Sequence, residues 1–138
     1  MEYDFFRVVE YALSPDSFGH GTFRGGAGFT RHYEILKDGA TFSIYADRFK
    51  LAPQGLFGGT PSSPGRCNIW RDGKPLPVKS KDFHVLKAGD VVEITLGGGA
   101  GYGEPSRRTH DLIERDIADG ILSRRMAEQV YGRLEAAE

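Results

Sequence analysis

Few residues in this chain are of types that do chemistry, and their spacing narrows what they could do. The four histidines, His20, His32, His84 and His110, include no pair at the i, i+4 separation that would place two imidazoles on one helix face for a metal. His20, between Gly19 and Gly21, is the one with loop access suited to acid–base work. His32 and His84 fall in strand-like segments among polar neighbours. Cys67 is the single cysteine, which excludes an internal disulfide and a Cys-rich zinc site. With no histidine near it in sequence, it reads as a small buried residue rather than a nucleophile. Arg24-Gly25-Gly26 beside Phe23 has the form of one unit of an RNA-binding repeat. A single copy in a chain of net charge −1 reads instead as an arginine held by tight backbone, buried or at an interface. Asp47-Arg48 reads as a structural ion pair, made between the two or with Arg24.

The most unusual stretch is Leu96 to Pro105, which holds five glycines in seven residues: Gly97, Gly98, Gly99, Gly101 and Gly103. Ordering so many glycines is entropically costly, so neighbouring chain must hold them. The stretch follows a strand pattern and precedes a helix pattern, the order of a phosphate-binding loop. Its details differ. No Gly-Lys-Ser/Thr ends it, and Tyr102, Glu104 and Arg24 stand where the third glycine of Gly-x-Gly-x-x-Gly would fall. A close crossing of chains is the better reading, and Trp70 is assigned to a core or an interface.

As a whole, 138 residues suit one domain with its own core. A hydrophobic share of 39% with 27% charged residues is globular, whereas 19 glycines and 7 prolines predict many turns and irregular connections. The near-zero net charge gives no footprint for nucleic acid or an anionic membrane. No apolar run is long enough to span a bilayer, and Met1-Glu2-Tyr3-Asp4 lacks the basic start of a secretory signal. A soluble cytoplasmic chain is expected.

The elements that must position these residues are mostly strands. Phe5–Leu13, Arg31–Leu36, Thr41–Ala46, Asn68–Arg71, a segment to Val78, Asp82–Leu86 and Val91–Thr95 carry β-type patterning. Asp38-Gly39 predicts a hairpin joining the second and third. Lys87–Asp90 predicts another joining the last two. The unpatterned connection from Phe49 to Arg66 is long for a compact domain, so a functional or partner-facing role is expected. After the glycines the period becomes helical. Thr109 and Ser123 are candidate caps, Gly120 a stop, and Met126, Ala127, Val130, Tyr131 and Leu134 form one apolar face. The expected fold is α+β and mainly β: an antiparallel sandwich or curved sheet with a C-terminal two-helix hairpin. Residues 1–105 are expected to be a β-rich domain with long glycine-rich loops. Residues 106–138 are the hairpin, packed on that domain or on a partner.

Several ordered motifs then carry a resemblance. Val8 to Ser17, Gly19 to Gly28, Asp47-Arg48, Pro53 to Pro61, Leu76 to Lys81, Gly89-Asp90-Val91, the glycine stretch, Asp116 to Gly120 and Tyr131-Gly132 follow one another across nearly the whole chain. The series resembles the C-terminal part of hydantoinase B/oxoprolinase proteins. That resemblance implies ATP-dependent multi-subunit enzymes: hydantoinases, 5-oxoprolinases, and the biotin-independent acetone and acetophenone carboxylases. Their hydantoinase B-type subunit is several times longer, and its chemistry is expected in the part missing here. No catalytic, cofactor-binding or metal-binding residue is therefore assigned to this chain.

The candidate structural or interface residues are Arg24, Gly25, Gly26, Asp47, Arg48, Gly58, Gly59, Gly97, Gly98, Gly99, Gly101, Tyr102 and Gly103. The chain opens with Met and closes after its second helix, which matches the separate small subunit of acetophenone carboxylases. The leading expectation is a non-catalytic small subunit of an ATP-dependent ketone carboxylase. Its partners would be large hydantoinase A-like and hydantoinase B-like subunits holding ATP and a divalent metal. Service to a hydantoinase or 5-oxoprolinase, or a free-standing module for a small ligand, are the alternatives.

Overall fold

Seven strands, most of them rich in β-branched and aromatic residues, appear in a computed structural model, which describes residues 3–132. They are β1 (Phe6–Ser14), β2 (Gly28–Ile35), β3 (Thr41–Tyr45), β4 (Arg66–Arg71), β5 (Lys74–Pro77), β6 (Lys81–Val85) and β7 (Val91–Leu96). Two helices follow, α1 (His110–Ala118) and α2 (Arg124–Tyr131). Five strands form one sheet in the order β1-β2-β7-β4-β5, and β3 pairs with β6 in a second. The pairings of β2 with β7, β7 with β4, β4 with β5 and β3 with β6 are antiparallel. The mainly β, α+β expectation is met.

Two expected hairpins are not formed. Asp38-Gly39 does not pair β2 with β3, because β2 lies between β1 and β7 while β3 belongs to the other sheet. Lys87–Asp90 likewise joins β6 and β7 across the two sheets instead of closing a hairpin. The corners fasten to each other: Gly39 N–H donates to Leu86 O at 3.0 Å, and Ala88 N–H donates to Asp38 Oδ1 at 2.8 Å. Positive φ at Gly39 and Gly89 permits both bends. Asp72-Gly73, between β4 and β5, does close a hairpin.

The chain divides into two packed units that interleave along the sequence. The first takes the chain up to Ala12, Phe29–Leu51 and Pro64–Leu96. Its core is Ile35, Cys67, Ile69, Val78, Leu86 and Val92, with Phe42 and Ile44 of β3 packed against it. Thus the alternation in β3 does set one face inward, leaving Tyr45 outward. Asp90 is buried here and accepts from Arg71 Nε at 2.9 Å, Arg71 Nη2 at 2.6 Å and Lys87 N–H at 2.8 Å. Trp70 is only partly covered, and its indole N–H donates to Glu93 at 2.6 Å.

The second unit takes Leu13–Gly28, Ala52–Ser63 and the chain from Gly97 onward. Here the helices pack through Ile113, Ile121, Leu122 and Ala127 around Phe18. Thr109 is the N-cap residue of α1 but makes no side-chain cap bond. Ser123 does cap α2, its Oγ accepting from Met126 N–H at 3.1 Å. Asp16 clasps the turn between the helices. Its N–H donates to Ile121 O at 3.0 Å and its Oδ1 accepts from Ser123 N–H at 2.7 Å. Leu134, expected to extend the apolar face of α2, lies outside the described residues. Among the described residues, no helix is long and apolar enough to cross a membrane.

Candidate functional site

The glycine stretch lies in the second unit, laced to two other segments by backbone hydrogen bonds. Gly19 N–H donates to Gly99 O at 2.8 Å and Gly99 N–H to Gly26 O at 2.9 Å. Gly101 N–H donates to Thr60 O at 3.0 Å, and Thr60 N–H to His20 O at 2.8 Å. Leu56 N–H donates to Gly101 O, and Gly103 N–H returns a bond to Leu56 O at 2.9 Å. Side chains would prevent this approach. A Cβ on Gly25 would overlap the carbonyl of Gly99, and one on Gly101 would overlap the carbonyl of His20. Gly59 and Gly98 are in the same position against Gly101 and Gly26, and Gly58 abuts the Glu104 carboxylate. Gly26 is the exception, since a methyl group there would have no atom within 4 Å.

This lacing answers the question of a phosphate loop. Such a loop needs free amides converging on the anion. The N–H groups of Gly98, Gly99, Gly101, Tyr102 and Gly103 all donate to carbonyls of the crossing. These five amides are engaged within the fold instead of converging on an anion, and the stretch forms the crossing of chains read from its sequence.

Arg24 is held as its tight neighbours suggest, by a partner that its sequence context did not single out. Its Nε donates to Asp116 Oδ1 at 2.9 Å and its Nη1 to Gly25 O at 2.8 Å. Arg108 Nη2 donates to Asp116 Oδ2 at 2.7 Å, so one buried carboxylate of α1 holds two guanidinium groups. The Arg24 guanidinium also lies 5.1 Å from the Phe18 ring centroid. A signal was present: Asp116 stands between Ile113 and Ile117 on the inward stripe of α1, where a carboxylate needs a cation.

Asp47 and Arg48 do not join this group. They belong to the first unit, where Asp47 Oδ1 lies 3.8 Å from Lys81 Nζ and Arg48 O accepts from Gly65 N–H at 3.1 Å. The expected Asp47–Arg48 or Asp47–Arg24 pairing is replaced by these contacts. Asp47 and Lys81 are both largely exposed, so their pairing adds little stability.

The expected loop access of His20 is also corrected. Its ring is buried, edge-on to Phe18 at 5.1 Å, with Nδ1 hydrogen-bonded to Tyr131 Oη at 3.0 Å. Burial lowers its pKa below the ordinary 6.5, and burial raises that of Tyr131 above 10.0. The contact of this imidazole with the Tyr131 phenol fixes α2 to the first glycine region. Cys67 is buried too, with its thiol pushed up to about 12 by desolvation, so it is held protonated. Among the described residues, no three His, Cys, Asp or Glu side chains gather to hold a metal ion.

One feature of the crossing faces outward. Tyr102 bridges to Phe23 on one side and Leu56 on the other, and its ring lies 5.2 Å from that of Phe57. The site thus combines a rigid backbone crossing, a buried Arg–Asp–Arg lock and an exposed apolar rim.

Comparison with known proteins finds relatives much longer than this chain. The uncharacterized protein MJ0963 of Methanocaldococcus jannaschii is 41% identical over 124 residues, which cover 90% of this chain and 22% of that protein. The 5-oxoprolinase of Dictyostelium discoideum is 33% identical over 98 residues, covering 70% of this chain and 8% of that protein. The chain therefore spans less than a quarter of these relatives. Among solved structures, nucleotide-free acetone carboxylase shares the fold at a TM-score of 0.79 and 21% identity, covering 92% of this chain and 21% of that one. The ATP-dependent caprolactamase of Pseudomonas jessenii matches at 0.77 and 26% identity, covering 94% of this chain and 24% of that one. The sequence pattern of hydantoinase B/oxoprolinase proteins matches residues 2–105, and this chain belongs to that family.

Proposed function

We propose that this chain is a non-catalytic small subunit of an ATP-dependent, multi-subunit enzyme of the hydantoinase type. It supplies the C-terminal part of a hydantoinase B-like subunit whose remainder is a separate large chain. Hydantoinase A-like and hydantoinase B-like chains are its partners, and they bind ATP and a divalent metal in the cytoplasm. The observation that carries this reading is one of coverage: a single match takes in 90% of this chain but only 22% of its relative. The geometry supports it, because the glycines, Arg24 and His20 all serve internal packing.

Two substrate classes fit such a complex. Ketone carboxylation of the acetophenone type follows from the resemblance to carboxylases that carry a separate small subunit. Opening of a cyclic amide is favoured by the names of the sequence relatives, a 5-oxoprolinase and a caprolactamase. ATP hydrolysis by the purified complex separates them. Stimulation by 5-oxoproline, a hydantoin or caprolactam supports amide opening, and stimulation by acetophenone only with bicarbonate supports carboxylation. A complex whose ATPase answers to neither overturns both.

A further inference from the structure

The exposed apolar rim of the second unit is organised around a strained residue. Leu56 to Gly59 make a tight turn in which Gly59 N–H donates to Leu56 O at 3.0 Å. Within it Phe57 has φ +51° and Gly58 φ +90°. The left-handed region suits Gly58, whereas a bulky aromatic residue is strained there. Phe57 gains no burial in return, being 75% exposed. Strain held at an exposed aromatic side chain marks presentation to something outside the chain.

Phe57 is not isolated. Its ring leans on Tyr102, which meets the Phe23 ring at 6.3 Å, and Leu56 is bridged to Tyr102 through the backbone. Phe23, Leu56 and Tyr102 are 64%, 60% and 49% exposed. Single exposed apolar residues are ordinary, but four joined on one platform form a patch of the kind that binds protein. The platform is the glycine crossing, whose backbone hydrogen bonds hold these residues in place before any partner arrives. Such preorganisation limits the ordering entropy lost on docking.

We propose that this aromatic crown anchors the chain to the large hydantoinase B-like chain, with Phe57 entering an apolar pocket on it. The inference rests on the function proposed above. The occupant follows from length: this fold covers 22% of MJ0963 and 24% of the caprolactamase chain, so most of a hydantoinase B-like chain lies outside it and is available to cover the crown.

The test uses the full chain and the large hydantoinase B-like chain from the same cell, with affinity measured by calorimetry. Phe57→Asn suits the turn, since asparagine tolerates positive φ. The isolated variant is expected to melt at or above the wild-type temperature while its affinity falls about 30-fold or more, as for an interface hot spot. Tyr45→Asn removes an aromatic that is 83% exposed in the first unit and should leave affinity unchanged. Wild-type binding by Phe57→Asn overturns the crown but leaves the subunit reading standing. A wild-type chain that binds no large chain overturns both. A wild-type dimer lost in Phe57→Asn assigns the crown to self-association and overturns the inference.

Discussion

Gly25 and Gly26 are adjacent, yet their surroundings are opposite. A methyl on Gly25 overlaps the Gly99 carbonyl, whereas one on Gly26 meets nothing. Gly25→Ala is therefore expected to destabilise the chain by about 3 kcal/mol, since backbone cannot yield as a side chain can. Gly26→Ala should change stability by less than about 0.5 kcal/mol. Urea unfolding of both variants checks the contrast. The sequence announces tight backbone around Arg24, but not which glycine bears it, because that depends on a segment far along the chain. His20 departs from its sequence reading for a related reason. Its glycine neighbours suggest an open loop, while Phe18 and Tyr131 close over it. Its lowered pKa gives a testable sign. The folded form binds fewer protons than the unfolded form below 6.5, so stability falls as pH drops from 6.5 towards the lowered value. Asp82 and Asp90, held below 3.8 mainly by hydrogen bonds from Lys79 and Arg71, lose their contributions only at more acid pH. Melting temperatures between about pH 8 and pH 5 should therefore decline, and His20→Gln should flatten that decline.

At the scale of elements, the strands and helices were legible and their partners were not. β-Type patterning located β3 and β6, and Ser123 and Gly120 marked helix ends that the structure reproduces. The pairing failed because Asp38-Gly39 and Lys87–Asp90 carry residues that suit a corner between sheets as well as a hairpin. What selects the corner is tertiary: the backbone bonds that join the two turns, and Asp90 gripping Arg71 of β4. Asp90 is buried, so Asp90→Asn leaves the guanidinium without its charge partner. The expected loss is about 2 kcal/mol, the scale of hydrogen bonds to a charged group, because the Arg71 left behind reaches solvent. A lowered urea midpoint with unchanged far-ultraviolet circular dichroism is the result to look for.

For the whole molecule, the family was legible because its motifs keep their order from Val8 to Gly132, and the comparisons support that reading across most of the chain. The interleaved units were not legible, since Leu13–Gly28, Ala52–Ser63 and Gly97 onward meet only once folded. Local patterning cannot foresee contacts made by glycine backbones, which carry no side chain to signal them. The buried histidine, the protonated cysteine and the internally bonded glycines each have a place in the packing of the fold. The non-catalytic subunit proposed above must be found with its enzyme. The most direct measurement is the native mass of the tagged chain isolated from its source cell, with each companion identified by peptide sequencing. We expect a complex containing both hydantoinase A-like and hydantoinase B-like large chains. A lone species of 15.2 kDa would contradict the account.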